Sequence, residues 1–324
     1  MSLSRRYSNI SDVRFGFKKV VHIVLFSFLF FAVFGCSEKE SGLTFIVAGD
    51  LHYGLSDSLL AYNSSAILSM NDLPDTFPAD NQHVNLQDPS GVILAGDLTE
   101  SGEASQWSLF TEDYGIHGEK KLEIPVFEGF GNHDGPIEGS VRLGIKERNT
   151  KRKGLSSISE NELHYSWQWQ DVHFVQLNSY PSYEWDPGCE WCHYFEESFR
   201  EPEQSLQFLE RDLEANVGNS GMEVILIFHY GFDEWGNKWW TEDEQEMFYE
   251  VIAPYNVLAI FHGHTHTIQF YNWKEIPVFS VGSTQKDDRP GEYMVAHIGR
   301  EKMVVYERRI QKGWGDFRVL NRIK

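Results

Sequence analysis

The chain has 324 residues but only three cysteines, Cys36, Cys189 and Cys192. That is too few for a disulfide-stapled scaffold, and there is no second CxxC to complete a four-thiolate zinc site. The single CxxC, in GCEWCHYF, leaves three readings open: a tight disulfide, free thiols, or a metal site with His193 as a further ligand. Basic residues are also scarce, with 28 Lys and Arg against 48 Asp and Glu and a net charge of −20. A field of that sign opposes broad contact with DNA or RNA, so no large nucleic-acid partner is expected. A small phosphate-bearing substrate stays open, because bound cations reverse the local potential of an acidic pocket. The sequence shows no internal repeat and no low-complexity linker. Its longest apolar run falls short of the roughly 20 residues a full membrane span requires.

That run lies near the N-terminus. Arg5, Arg6, Arg14, Lys18 and Lys19 precede VVHIVLFSFLFFAVF at residues 20–34, the layout of an export signal. Gly35-Cys36 and then SEKE follow. The arrangement resembles a bacterial lipoprotein signal, in which Cys36 would become the lipidated first residue. Val33 and Gly35 suit that pattern, whereas Phe34 is bulkier than the small residue usual there. The resemblance implies export and lipid anchoring in a bacterial cell envelope, with the remaining chain outside the cytoplasm. An uncleaved signal-anchor and plain secretion are the other readings. The organisation expected is a signal segment at 1–36, one domain at 43–310 and a C-terminal tail at 311–324.

The remaining chain is long enough to bury a sizeable core. TFIVA (44–48), GVILA (91–95), IPVFEGF (124–130), EVILIF (223–228) and NVLAIF (256–261) read as short buried strands. Helical patterns occupy 202–217, where Leu206, Leu209 and Leu213 share a face, and 241–255, which opens on acidic residues. Residues 162–169 and 172–179 flank Gln170-Asp171 as a hairpin, and four further strand-like runs follow towards the C-terminus. Residues 136–160 carry a basic stretch, GIKERNTKRKG, and read as a solvated loop. The fold class expected is α/β, a layered αββα-type sandwich with two mixed β-sheets flanked by helices.

All five apolar runs end in residues that can bind metal or move protons. Asp50 and His52 follow the first and Asp97 the second. Asn132, His133 and Asp134 follow the third, His229 the fourth, and His262, His264 and His266 the fifth. Ligands of open α/β sheets gather beyond the carboxyl ends of strands, so dispersed positions can meet there. Each residue alone has a bland reading as a helix cap, a turn former or a buried imidazole. Five coincident strand ends do not. A mixed Asp, Asn and His set suits Mn, Fe or Zn and tolerates Mg, and it is large enough for two divalent ions sharing a carboxylate.

These stretches, GDLH (49–52), GDLT (96–99), GNHD (131–134), HY (229–230) and GHTH (263–266), resemble in order the motifs of the calcineurin-like metallophosphoesterase superfamily. The resemblance covers residues 43 to about 285. It implies one divalent ion on Asp50, His52, Asp97 and His266, and a second on Asp97, Asn132, His229 and His264. It also implies that His133 protonates the leaving oxygen and that Asp134 orients His133. Phosphate esters would then be hydrolysed by direct attack of a metal-activated water. The tyrosine that purple-type phosphatases carry three residues after the bridging aspartate is here Glu100, which disfavours a ferric–tyrosinate centre. His262 receives no ion and is expected to pack or to support a neighbour.

The motifs leave the substrate open between phosphomonoester and phosphodiester. The 10 Trp, 14 Tyr and 23 Phe supply either a heavy core or an aromatic groove. Groove candidates are Trp235, Trp239 and Trp240 in one loop and Tyr180, Tyr183 and Trp185 in another. Arg200 and Lys238 read as solvated charges, with phosphate partners as the alternative. A competing class is an inactive, surface-anchored binding protein on the same fold; a metal-dependent nuclease is a third.

Overall fold

The computed structural model describes residues 42–77, 86–191, 194, 196–286 and 289–322. The expected signal and lipidation segment, Cys192 and His193 lie outside them. In chain order the elements are β1 (Leu43–Ala48), α1 (Asp57–Asn71), β2 (Val92–Ala95), α2 (Ala104–Asp113), β3 (Val126–Gly129), α3 (Ser140–Lys151), β4 (Leu155–Ile158), β5 (Tyr165–Trp169), β6 (Val172–Gln176), α4 (Glu197–Arg200) and α5 (Ser205–Asn216). Then come β7 (Glu223–Phe228), α6 (Glu242–Ile252), β8 (Asn256–His262), β9 (Gln269–Trp273), β10 (Ile276–Ser280), β11 (Gln285–Lys286), β12 (Arg289–Pro290), β13 (Glu292–Ile298), β14 (Lys302–Arg309) and β15 (Gly313–Asn321).

Two mixed sheets form the centre of an αββα sandwich. One has the order β15-β14-β13-β1-β2-β3, and the other β4-β5-β6-β7-β8-β10-β9. Strands β1, β2 and β3 are mutually parallel, as are β6, β7, β8 and β10. The branched, apolar runs of β1, β2 and β7 are buried throughout, as strands covered on both faces must be. Phe45, Ile93 and Ala296 of the first sheet meet Phe174, Ile225 and Phe261 of the second in the middle layer. The outer face of the first sheet packs on Ile67, Phe110 and Ile145 from α1, α2 and α3. The outer face of the second packs on Leu209, Leu213 and Phe248 from α5 and α6. Each such leucine contributes about 1.5–3 kcal/mol by burial. Thr241 opens α6 with a capping box to Glu244, which fixes where the chain leaves the loop after β7.

Two regions differ from the sequence reading. Residues 136–160 hold α3 and β4 rather than a solvated loop. The buried face of α3 includes Arg142 and Arg148 beside Val141 and Ile145, so an apolar periodicity could not reveal it. Residues 313–321 form β15, the edge strand of the first sheet, where a tail was expected. Among the described residues no helix is long and apolar enough to cross a membrane. Cys189 is disulfide-bonded, which removes it as a metal-binding thiolate.

Candidate metal centre

The loops that follow β1, β2, β3, β7 and β8 bring the predicted residues together. Asp50, His52, Asp97 and His266 each offer one ligand atom, and these atoms lie within 4.8 Å of one another. Asp97, His229 and His264 form a second such group. Asn132 joins the latter through Oδ1, 3.1 Å from His229 Nε2. Asp97 belongs to both groups and lies 3.1 Å from His229 Nε2 and 3.8 Å from His52 Nε2. Two groups of this composition, sharing a carboxylate, are consistent with two divalent ions.

The backbone is bent to achieve this. Asp50, His52, Asp97, His264 and His266 all have positive φ, between 45° and 73°, a region that side-chain-bearing residues seldom occupy. The glycines of the motifs permit close approach. A Cβ on Gly131 would lie 2.3 Å from Asp97 Oδ1, and one on Gly96, at φ 93°, 2.6 Å from His229 Nδ1. Only glycine fits where these loops cross.

Hydrogen bonds settle which imidazole nitrogen faces inward. His52 Nδ1 donates to Glu100 Oε2 at 2.8 Å, and His229 Nδ1 donates to the Ala95 carbonyl at 2.8 Å. His133 Nδ1 donates to the Glu100 carbonyl at 2.8 Å. Because these acceptors cannot donate, Nδ1 carries the proton in each ring and Nε2 is left to face a ligand. His52 Nε2 and His266 Nε2 stand 3.0 Å apart, and His266 Nε2 is 3.5 Å from Asp50 Oδ1. Asp50 Oδ2 is buried without any hydrogen-bond partner. Converging imidazole nitrogens beside an orphaned buried carboxylate oxygen are costly in a protein interior and fit a cation well.

The charges of the centre act strongly on one another. Burial alone would raise Asp97, but the imidazoles of His229, His133 and His52 outweigh it and hold the carboxyl well below its usual range. Burial opposes charge on His229 too, yet Asp97 overcomes it and lifts the imidazole to about 9. His264 is pushed well below the ordinary histidine value, by burial first and then by His229.

Asp134 has a different position from the one the motif suggested. Its carboxylate accepts from the amides of Gly131 (2.9 Å), Leu98 (3.0 Å) and Thr99 (2.8 Å) and from Thr99 Oγ1 (2.8 Å). It therefore ties the loop after β3 to the loop after β2. The His133 ring donates to the Glu100 carbonyl, and His133 N donates to Asp97 Oδ1 at 2.9 Å. Sequence reasoning noticed Glu100 only as a missing tyrosine; its spacing from His52 carried no local signal. His262 is buried but belongs to neither ligand group, bonded to the Gly263 carbonyl and, at 2.8 Å, to Tyr271 Oη.

Half of the proposed aromatic groove is core. Tyr180, Trp239 and Trp240 are buried. The Trp239 ring stacks on Tyr230 and meets His264 edge-on at 4.9 Å, so it backs a candidate ligand rather than a substrate. Trp235 is exposed. The opening beside the centre is a cleft of about 270 Å³ lined by His52, Leu55, Leu59, His266, Thr267, Ser283 and Gln285. A larger cavity of about 420 Å³, between β9, β10 and β13–β15, contains none of the candidate ligands.

A sequence model described as calcineurin-like phosphoesterase matches residues 43–267. No curated protein matches the chain. A dimetal phosphatase from Danio rerio superposes with a TM-score of 0.58 at 13% identity, over 86% of this chain and 98% of that one. GAP50, the anchor in the inner membrane complex of Plasmodium, superposes with a TM-score of 0.55 at 11% identity, over 87% of this chain and 90% of that one. At such identities the two structures share the fold with this chain.

Proposed function

Because the chain belongs to the calcineurin-like phosphoesterase family, we propose that it is a binuclear-metal phosphohydrolase acting on small phosphate esters. The observation that carries this reading is Asp97, one carboxylate shared by two ligand groups. One ion would be held by Asp50, His52, Asp97 and His266, and the other by Asp97, Asn132, His229 and His264. When bound, such ions supply Lewis acidity, lowering the pKa of a water so that it can attack phosphorus directly and offsetting charge on the phosphoryl oxygens.

The chain's own residues supply the rest. Glu100 fixes the His52 tautomer through its carboxylate and the His133 tautomer through its carbonyl. With Nδ1 so committed, it is the imidazolium form of His133, carrying a second proton on Nε2, that would give that proton to the departing alkoxide. His133 is half-buried, close to water yet within the site. Asp134 keeps the His133 loop in register with Asp97 through its four bonds. An inactive binding protein on the same fold would be expected to have lost ligands, and here every position is filled.

A screen of monoesters, diesters and nucleotides with Mn, Fe, Zn or Mg restored tests the reading. Hydrolysis dependent on added metal is expected; no turnover of any ester with metal bound would refute it. We further propose that the domain is exported and held at a bacterial envelope through Cys36. Cys36→Ser should release the protein from membranes while leaving turnover unchanged, and wild-type protein that is soluble, processed and unlipidated would contradict the anchor.

A further inference from the structure

The cleft beside the metal centre opens onto the first ligand group. His52 and His266 both line it, and the His266 side chain is half exposed. Among the described residues the rest of the lining is Leu55, Leu59, Thr267, Ser283 and Gln285, none of them charged. Arg200 and Lys238, the cations that the sequence offers as phosphate partners, do not line it. Arg200 is buried with its guanidinium over the Trp185 ring, and Lys238 pairs with Glu190 at 3.8 Å.

Short-range bonds fix this lining to the ligand loops. Leu55 follows His52 through a tight turn, closed by its amide on the His52 carbonyl at 3.2 Å. Ser56 then caps α1 by accepting from the Leu59 amide at 3.2 Å. Leu55 is thereby held three residues from a candidate ligand with 51% of its surface exposed, so apolar area inside the cleft is still uncovered. In the other stretch of lining, Ser283 Oγ donates to the Asp50 carbonyl at 2.7 Å and accepts from the Gln285 amide at 3.1 Å. One buried side chain, Asn63 of α1, ties the two stretches together. It donates to the Leu51 carbonyl at 3.0 Å and accepts from Thr284 Oγ1. The cleft is formed without a ligand, so little ordering opposes binding in it.

We propose that Leu55 and Leu59 seat the alcohol part of the substrate, and that the substrates are phosphate esters of uncharged alcohols with an apolar body. The inference rests on the phosphoesterase reading and narrows it to one substrate class. With the phosphoryl group at the centre, the rest of the ester occupies the cleft that His52 and His266 line. An apolar group there covers Leu55 and leaves water itself. A second phosphate or a carboxylate on the alcohol would lose water without meeting a cation, on a chain whose net charge of −20 already repels it.

The test uses the full-length protein loaded with Mn²⁺ and follows whichever ester it turns over, p-nitrophenyl or bis-p-nitrophenyl phosphate. Methylphosphonate, n-butylphosphonate and 4-phosphonobutanoate, whose carbon–phosphorus bonds are not esters, compete as inhibitors. Wild type should bind n-butylphosphonate about tenfold more tightly than methylphosphonate, and 4-phosphonobutanoate no more tightly than methylphosphonate. Leu55→Asn keeps the size of the side chain and removes its apolar surface. At unchanged metal content it should reduce the preference for the butyl compound to about twofold. Butyl and methyl constants within about twofold of each other in wild type would overturn the assignment, and this comparison needs no variant to fold. So would a preference that survives undiminished in metal-loaded Leu55→Asn, or 4-phosphonobutanoate bound as tightly as n-butylphosphonate. In those cases hydrolysis itself continues, which leaves the phosphoesterase reading standing. Metal-loaded wild type that cleaves neither ester would remove that reading and this inference with it.

Discussion

Two buried charged groups, Glu128 and the Asp50–Asp97 centre, behave in opposite ways. Glu128, within β3, is fully enclosed and saturated. Arg148 Nε meets Oε1 at 2.6 Å, and Arg148 Nη2 and Arg152 Nη2 meet Oε2 at 3.2 and 2.9 Å. Just beyond the strand end, the Asp50–Asp97 centre is unsaturated: one carboxylate oxygen has no partner, imidazole nitrogens face each other, and five ligand candidates have left-handed backbone. The first group has every bond that it needs from the protein. The second is compact and leaves a buried carboxylate oxygen without a partner, as a group consistent with divalent-ion binding does. Burial of charge is common to both; unsatisfied coordination separates a site from a strut.

That contrast can be broken by exchanging the two kinds of loss. Asp97→Asn should have the largest effect on function, lowering kcat on the order of a thousandfold. It should also remove metal, read by elemental analysis, while thermal unfolding shows the fold intact. Glu128→Gln should do the reverse. Leaving two buried arginines short of a charge should cost about 3–5 kcal/mol in denaturant unfolding, with turnover per folded molecule unchanged. The two arginines outweigh burial and hold the Glu128 carboxyl at about 2, below its ordinary 4.5. A depressed carboxylate stabilises the fold above its unfolded pKa. Its contribution, on the order of 3 kcal/mol, should be complete above about pH 4.5 and lost as pH falls towards about 2. An acid-unfolding curve that is the same for wild type and Glu128→Gln would contradict this.

His133→Asn sharpens the comparison within the centre. The rate should fall about a hundredfold, most for esters with poor leaving groups, at unchanged metal content. Loss of metal in that variant would show that His133 is a ligand. The smallest effect is expected from His262→Gln. It should cost about tenfold or less in rate, far less than the same change at His264, because His262 bonds Gly263 and Tyr271 rather than a ligand.

Much of this is legible in the sequence. Most strands of the two parallel ladders are rich in apolar residues, and five of them are followed by candidate ligands, so local pattern and site coincide. What stayed hidden depends on pairing across space. The helix at Ser140–Lys151 buries arginines, whose partners are a glutamate in β3 and carbonyls far along the chain. Arg200 and Glu100 look like ordinary surface charges until α4 and the loop after β2 are placed. Trp239 and Trp240 could equally have been rim or core; only packing against Tyr230 and Phe248 decides. Asp134 carries a familiar motif position, but its bonds go to three backbone amides and the Thr99 hydroxyl of two loops.

The central claim is that the unsaturated centre is completed by two ions that turn it into a hydrolase. The most direct measurement titrates the metal-stripped full-length protein with Mn²⁺ while following bound metal and hydrolysis of p-nitrophenyl and bis-p-nitrophenyl phosphate together. The account predicts two ions per chain, turnover of at least one ester that rises with their binding, and neither in Asp97→Asn. Hydrolysis by the metal-stripped protein, or metal binding and turnover that survive Asp97→Asn, would contradict it.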